Sequence, residues 1–506
     1  MILILFFLLI LVASAFAPQY VVIFLVLNLL IGLFLSIFQI IIALLPNLKI
    51  KRGRIKTQPF VSILIPSYNE PPVILIQTLD MLSQLDYDRF EVLVIDNNTK
   101  DPNIWNPVKS FIKTLGQRFR FFHIDNLSGF KAGALNYILN YTNPQSEYAA
   151  VIDADYVVKN DFLKIALAYF TDNKTALVQF PQRYRNLTPE NEPIIDEYQH
   201  FFGIYMNMAN RLDCVPSTGT VSIYKLSVLR QIGGFRIEAL TEDADVGLRI
   251  YGAGYHGLYI DQSVGYGLMP YDLEAYRKQK WRWAFGNAQS LKTLFLLFPK
   301  ISFRSWIGFL SHLTAWHHFN FLSFAALAAF PVILYTAIPI TDYHKRVLIF
   351  ASLTIFITLM AKMLLFLATL RKQKKFLVRA LRAFIIHMGL TLVYSEAWIV
   401  CLFGKKYAFE RTNKFVLRKM PSLLKNSYSE LLLGSWFLVN AVTVAYYGYA
   451  MIMIAFLISA AVLFSIYYVY WKIAPTKECS KKIILELEKK YQSFIQKNAE
   501  NIHAGD

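Results

Sequence analysis

Gln279, Arg282 and Trp283 stand at i, i+3 and i+4 within Gln279-Lys280-Trp281-Arg282-Trp283, so on a helix they share one face. That face offers a hydrogen-bonding amide, a fixed planar cation and a broad aromatic plate. Together these suit an anionic leaving group beside a sugar ring. An interfacial helix anchored at a membrane by Trp and Arg would carry the same residues. Some forty residues earlier comes Thr241-Glu242-Asp243, where one well-placed carboxylate could deprotonate a hydroxyl, or the acids could cap a helix. Asp153-Ala154-Asp155 places two carboxylates one residue apart, enough to hold a hard divalent cation that bridges diphosphate oxygens. A polar strand-end turn is its plainer reading. Asp96 could accept from a nucleobase or ribose. Lys131, in Gly129-Phe130-Lys131-Ala132-Gly133, could reach a nucleotide where glycines allow close backbone approach, or be a surface charge.

The elements around these residues explain their placing. Apolar, β-rich runs recur at Val61–Ile65, Val92–Ile95, Phe121–Ile124, Ala149–Ile152 and Ala176–Phe180, separated by helical patterns at Val73–Leu85 and Ala132–Leu139. Alternation of this kind predicts a doubly wound, mostly parallel α/β sheet, whose ligands bind beyond the carboxyl ends of the strands. Ser67-Tyr68-Asn69-Glu70, Asp96-Asn97-Asn98 and Asp153-Ala154-Asp155 all follow such ends.

The flanks are of another texture. The chain is 55% apolar in 506 residues and carries 52 Lys and Arg against 34 Asp and Glu, a net charge of +18. The basic residues cluster beside apolar runs, which points to membrane topology; no nucleic-acid-binding signature accompanies them, so no nucleic-acid partner is expected. Three distant cysteines, Cys214, Cys401 and Cys479, predict neither a disulfide framework nor a metal site. Apolar runs at 1–17 and 19–45 read as a tight pair of transmembrane helices. Lys49, Lys51, Arg52, Arg54 and Lys56 then place that end, the N-terminus and the segment 46–310 in the cytoplasm. Segments 314–340 and 346–370 read as a second hairpin, followed by Arg371, Lys372, Lys374 and Lys375. Residues 376–403 are long enough to span, but Arg379, Arg382, His387 and Glu396 interrupt them, and basic flanks at both ends favour a helix lying in the interface. Residues 430–471 are long enough for two spans, and 473–506 predict a cytoplasmic amphipathic helix with Ile484, Leu487, Tyr491, Phe494 and Ile495 on one stripe. No further C-terminal domain is expected in that tail. His312, His317 and His318 read as interfacial or intramembrane packing rather than a metal site.

Taken in order, Asp96, Asp153-Ala154-Asp155, Thr241-Glu242-Asp243 and Gln279-x-x-Arg282-Trp283 resemble the D, DxD, TED, QxxRW series of membrane-embedded family 2 glycosyltransferases, the processive cellulose synthase-like enzymes above all. Pro66-Ser67-Tyr68-Asn69-Glu70 is similar to that family's first nucleotide loop and Lys131-Ala132-Gly133 to its KAG element. Phe409-Glu410-Arg411-Thr412-Asn413-Lys414 resembles the gating loop. The resemblance covers roughly 60–420. It departs at Asn97, where the family often has a second Asp, at Ser217-Thr218-Gly219 in place of Phe-Cys-Gly, and at Arg411 in place of Val.

The resemblance implies a GT-A domain and a set of roles. Tyr68, Glu70, Asp96, Lys131 and Asp153 would hold the nucleotide sugar, and Asp155 the metal, Mg2+ or Mn2+. Asp243 would be the base. Glu242, Gln279, Arg282 and Trp283 would line the acceptor and diphosphate, with Phe409, Arg411, Thr412 and Lys414 in a gating loop. The expected donor is a UDP-sugar, UDP-glucose first. The expected product is a β-linked polysaccharide made at the cytoplasmic face of the inner membrane and passed through the bilayer, with accessory export subunits as possible partners. A non-processive enzyme glycosylating a membrane lipid is the alternative. The expected division is 1–48, two N-terminal transmembrane helices; 49–272, the cytoplasmic GT-A domain; 273–312, interfacial helices carrying QxxRW; 313–371, a transmembrane hairpin; 372–428, an interfacial helix and gating loop; 429–472, a C-terminal transmembrane hairpin; and 473–506, the tail.

Overall fold

The computed structural model describes residues 2–46, 48–54, 57–316, 320–335, 338–404 and 423–503. Phe409, Arg411, Thr412 and Lys414, like His317 and His318, lie outside the described residues.

The strands β1 (Phe60–Ser67), β2 (Phe90–Asn97), β3 (Phe119–Ile124), β4 (Ser146–Val151), β5 (Val157–Val158), β6 (Thr175–Gln179), β7 (Ser222–Lys225), β8 (His256–Tyr259) and β9 (Gly265–Tyr266) form two sheets. Seven of them run in the order β3-β2-β1-β4-β7-β6-β8, while β5 and β9 pair apart. β3-β2-β1-β4 are mutually parallel, β7 is antiparallel to both its neighbours, and β6 and β8 are parallel. This is the doubly wound, mostly parallel sheet expected. Both faces are covered, as a parallel sheet requires. In β1, Val61, Ile63 and Ile65 pack with the helices Pro72–Ser83 and Pro102–Thr114, while Leu64 faces Phe130–Leu139 and Glu242–Gly252. Ser62 is fully buried in the same strand, and its hydroxyl donates to Glu91 at 2.7 Å.

Four helices among the described residues are long and apolar enough to cross a membrane, within Pro18–Leu44, Asp342–Leu370, Ser427–Tyr446 and Ala450–Gln492. Ile2–Phe16 is shorter: its 15 residues rise only about 22 Å, against a hydrocarbon core of roughly 30 Å. It ends where Pro18, lacking an N–H, opens the next helix. The stretch before Asp342 is likewise divided, into Asn320–Leu327 and Ala329–Tyr335.

Residues 376–402 form two helices. Phe376–Met388 and Thr391–Leu402 meet at a 43° bend, and the second is enclosed by protein, with residues Thr391–Ser395 and Ala397–Val400 buried. Gly389 lies at the break, where an added Cβ would stand 2.7 Å from Val469, so the bend lets the chain pass close to the Ala450–Ile473 helix. The tail is one helix, Pro475–His503, docked on the α/β domain. Ile484, Leu487 and Tyr491 join the core beneath Pro72–Ser83, and the Tyr491 hydroxyl donates to Asp80 at 2.7 Å. A separate apolar cluster joins Phe201, Tyr276 and Phe309 to Tyr394 and Val469 of the apolar helices. The α/β domain is thereby packed firmly against the helical part.

Candidate active site

The carboxyl ends of β1, β2 and β4 open into a cleft of about 1130 Å³, including its mouth. Its walls carry Tyr68, Glu70, Lys131, Asp153, Asp155, Glu242, Asp243, Gln279, Arg282 and Trp283. Residues spread over more than two hundred positions of sequence are brought together because the sheet order sets the strand ends side by side. Lys131 sits in the first turn of Phe130–Leu139, which starts from Gly129 at φ +83. Its ammonium donates to Asp153 Oδ1 at 2.6 Å and to the Gly219 carbonyl at 2.8 Å. Burial works against that charge, but Asp153, Glu242 and Asp243 outweigh it and hold the Lys131 pKa above the ordinary lysine value.

Asp243 and Glu242 open the helix Glu242–Gly252, where the helix dipole favours acids. Burial pushes the Asp243 carboxyl above the usual range, against the pull of Lys131, the Ala244 N–H and Arg282. Glu242 is pushed up by burial first and then by Asp243 beside it, with Lys131 and Arg282 resisting. The pair therefore titrates as a unit, near two fixed cations.

The face foreseen on the Leu273–Leu296 helix is present. Gln279, Arg282 and Trp283 all line the cleft, while Trp281 stacks away on Phe285 at 5.0 Å. Lys280 is fully buried on another face, bonded to Glu197 at 2.5 Å. Tyr198 donates its hydroxyl to Gln279, fixing that amide.

Asp96 is placed differently. It is 2% exposed and does not line the cleft. Its carboxylate accepts from Thr99 at 2.9 Å and Ser67 at 3.4 Å and meets His123 Nδ1 at 3.2 Å, with Trp105 stacked on that imidazole at 4.2 Å. Burial pushes its pKa up, and these bonds pull against it. Asp96 thus ties the end of β1 at Ser67 to Thr99 and to His123 of β3, and its neighbour Asn97 faces the cleft. Among the described residues the Asn97 side chain has no hydrogen-bond partner, although it is 4% exposed.

The sequence marks Gly219 only as part of Ser217-Thr218-Gly219, with no role of its own. At φ +80, a Cβ there would stand 2.6 Å from Asp243 Oδ2 and 3.3 Å from Lys131 Nζ. Only glycine lets the backbone come this close to both groups. The signal was the Gly in Ser217-Thr218-Gly219. Gln182, which donates to the Thr218 carbonyl at 2.7 Å, and Arg185, which reaches the Asp155 carbonyl at 3.3 Å, were also missed. Nothing local marks either of them.

Among the described residues no group of three or more His, Cys, Asp or Glu forms a protein-only metal cage. Asp153 and Asp155 are both on the cleft wall, with Asp155 Oδ2 held by the Leu268 N–H at 2.7 Å. Two carboxylates fit a Mg2+- or Mn2+-type ion that takes its remaining ligands from diphosphate and water. Beyond Trp283 the cleft continues into a recess of about 400 Å³ bounded by Phe201, His312 and Trp316, where Phe201 and Trp316 stack at 4.6 Å.

Residues 58–286 match the family described as "Glycosyltransferase like family 2". The cellulose synthase catalytic subunit of Pseudomonas fluorescens (strain SBW25) is 29% identical over 244 residues, 46% of this chain and 32% of that protein. Cellulose synthase 2 of Novacetimonas hansenii is 29% identical over 294 residues, 56% of this chain and 17% of that one. The chain thus spans a third or less of the length of these two relatives. Among solved structures, a mannosyltransferase from Pyrobaculum calidifontis, in complex with GDP-Man and Mn2+, matches with a TM-score of 0.51 at 17% identity. The match covers 73% of this chain and 99% of that one, and shows a shared fold. Residues 58–286 of this chain are a family 2 glycosyltransferase-like domain of GT-A type, with cellulose synthase homologues, set among helices apolar enough to cross a membrane.

Proposed function

We propose that the protein is an inner-membrane, metal-dependent, inverting β-glycosyltransferase. On this reading a cytoplasmic domain transfers sugar from a UDP-sugar, UDP-glucose first, and extends a polysaccharide that leaves through the protein's own helices. The convergence of Asp153, Asp155, Lys131, Asp243, Arg282 and Trp283 on one cleft carries the reading. Tyr68, Glu70 and Asn97, which line the same cleft, would take the nucleoside. Asp153 and Asp155 would hold the divalent cation, which when bound supplies Lewis-acid neutralisation of the diphosphate.

The remaining work falls to side chains. Trp283 offers a ring face to the acceptor sugar. Asp243 takes the proton of the acceptor hydroxyl as that oxygen bonds to the anomeric carbon. The bond from that carbon to the diphosphate breaks, and its electron pair leaves with the nucleotide. Arg282 and Lys131 face the growing negative charge, where preorganised cations act most strongly. One displacement with no enzyme nucleophile inverts the anomeric centre, so an α-linked donor gives a β-linkage.

The aromatic recess beyond Trp283 supports a sugar-chain acceptor, and the Phe409–Lys414 resemblance to a gating loop supports repeated addition. A second reading, transfer to a membrane lipid, draws on the modest number of candidate spans, four among the described residues. Incubating the purified protein with a panel of nucleotide sugars and Mg2+ or Mn2+, then sizing the product, tests both. Long β-linked chains support the proposal, a lipid carrying one or two sugars supports the second reading, and no transfer from any donor overturns both.

A further inference from the structure

A second cavity lies behind the recess. The π-helical turn His200–Tyr205 divides the two: Phe201 and Phe202 line the recess, while Gly203 and Ile204 line the second cavity. This cavity, of about 710 Å³ with its opening, sits where the helices Pro18–Leu44 and Asp342–Leu370 end together, at Ala43 on one and Ala368 and Thr369 on the other. The two helices also start together, since His344 Nε2 lies 3.0 Å from the Ala15 carbonyl. They therefore run parallel, and both bring their basic ends to the same membrane surface.

Three cations line the cavity, Arg211, Arg371 and Lys372, with one carboxylate, Asp261. Asp261 is already engaged, by Arg183 at 3.3 Å and by the Asn207 amide at 3.0 Å. Arg211 is 9% exposed and held in place: its Nε donates to the Pro46 carbonyl at 3.1 Å and its Nη1 to that of Ile42. Burial first, and then Arg371 beside it, holds the Arg211 pKa below the usual arginine value. Arg371 and Lys372 form no ion pair among the described residues. Basic residues after a span are ordinary, and helix C-termini attract them. Here, however, three of them converge on one concave space with a net positive wall. Lys374 and Lys375, equally basic and two residues further on, do not line it. The same helix ends carry exposed apolar side chains, Ile41 at 54% and Leu44 at 56% on one and Leu364 at 50% on the other.

We propose that this cavity binds the phosphate headgroup of an anionic phospholipid, whose acyl chains run down the groove between the ends of Pro18–Leu44 and Asp342–Leu370. Charge selects the phosphate, and the exposed Ile and Leu side chains select a ligand with an apolar tail. A lipid seated there would press on the back of the turn whose front carries Phe201 and Phe202.

The test uses the full chain and reads binding rather than sugar transfer. Native mass spectrometry after exchange into phosphatidylglycerol or phosphatidylcholine counts retained lipid for the wild type, for Arg371→Gln/Lys372→Gln and for Lys374→Gln/Lys375→Gln. The expected result is one tightly retained phosphatidylglycerol in the wild type and in the 374/375 variant, with retention weakened roughly tenfold in the 371/372 variant. Arg211 is left unchanged because it also caps a helix. Equal loss in both double variants would mean diffuse positive charge only, and overturns the site. Equal retention of phosphatidylcholine also overturns it, as does complete displacement of the lipid by millimolar inorganic phosphate, which would mark a site for free anions.

Discussion

Lys280→Met should unfold the protein at a lower temperature, and the size of the effect follows from its surroundings. Lys280 is fully buried and Glu197 is 2% exposed, so their contact at 2.5 Å is a desolvated ion pair. Glu197 also accepts from the Tyr276 hydroxyl at 2.8 Å and meets His387 Nδ1 at 3.1 Å. Removing the ammonium strands a buried carboxylate, which costs about 3–5 kcal/mol. Replacing both partners, Glu197→Gln with Lys280→Met, removes the charge with its counter-charge and should cost about 1 kcal/mol or less. Burial alone would push Glu197 up, but Lys280 and then His387 hold its pKa well below the ordinary value. In the wild type the Glu197 contribution is therefore present above the unfolded carboxylate pKa and lost in strong acid. In Lys280→Met the sign reverses: burial dominates, and lowering the pH protonates Glu197 and relieves the penalty. Thermal unfolding in detergent at pH 8 and pH 6 should show a drop on the order of 3–5 °C for the single variant, smaller at pH 6, and near-recovery in the double variant. Equal destabilisation in single and double variants would refute the ion-pair account, because simple loss of volume would then explain both.

Other outcomes are expected. Gly219→Ala should fold yet lose at least tenfold in kcat, because its Cβ would stand 2.6 Å from Asp243 Oδ2; full activity would show that this contact is irrelevant. The acid limb of kcat/KM should lie above the ordinary aspartate range, since burial pushes Asp243 up, and should move higher in Lys131→Met, which removes a group that lowers it. Glu242 and Asp243 both have raised pKa values, so the folded state holds more protons than the unfolded chain. Stability of the substrate-free protein should therefore fall as pH rises from about 4 through the raised values, as followed by thermal unfolding. Asp155→Asn should abolish divalent-cation dependence together with turnover, while Asp243→Asn should cost roughly 10²–10⁴-fold in rate and spare donor binding measured by calorimetry. Cysteine labelling from outside intact cells should reach a cysteine engineered into 341–346 and none in 57–270, and labelling in 57–270 would reverse the proposed orientation.

Periodicity made the Gln279, Arg282 and Trp283 face readable in the sequence, because helix geometry alone sets i, i+3 and i+4 side by side. Strand–helix alternation likewise dictated the doubly wound sheet and placed Tyr68, Asp153 and Asp155 just after strand ends that open on one side. Tertiary structure decided what local rules do not reach. The parallel register that sets Asp96 opposite His123 turned its carboxylate toward Ser67 and Thr99 and left Asn97 on the cleft wall. Pairing of β4 with β7 brought Gly219 against Lys131 and Asp243, an approach that no spacing within 217–219 encodes. Lys280, one residue from the cleft-lining Gln279, became a buried partner of Glu197 because packing of the Glu192–Gln199 helix fixed what its face meets. The stretch 376–403 carried enough charge to read as interfacial. In the fold its Arg379 is bidentate to Asp196 at 2.8 and 2.5 Å, and most of its second half is buried. Composition records how much charge a segment holds, and only the fold decides whether a counter-charge waits for it.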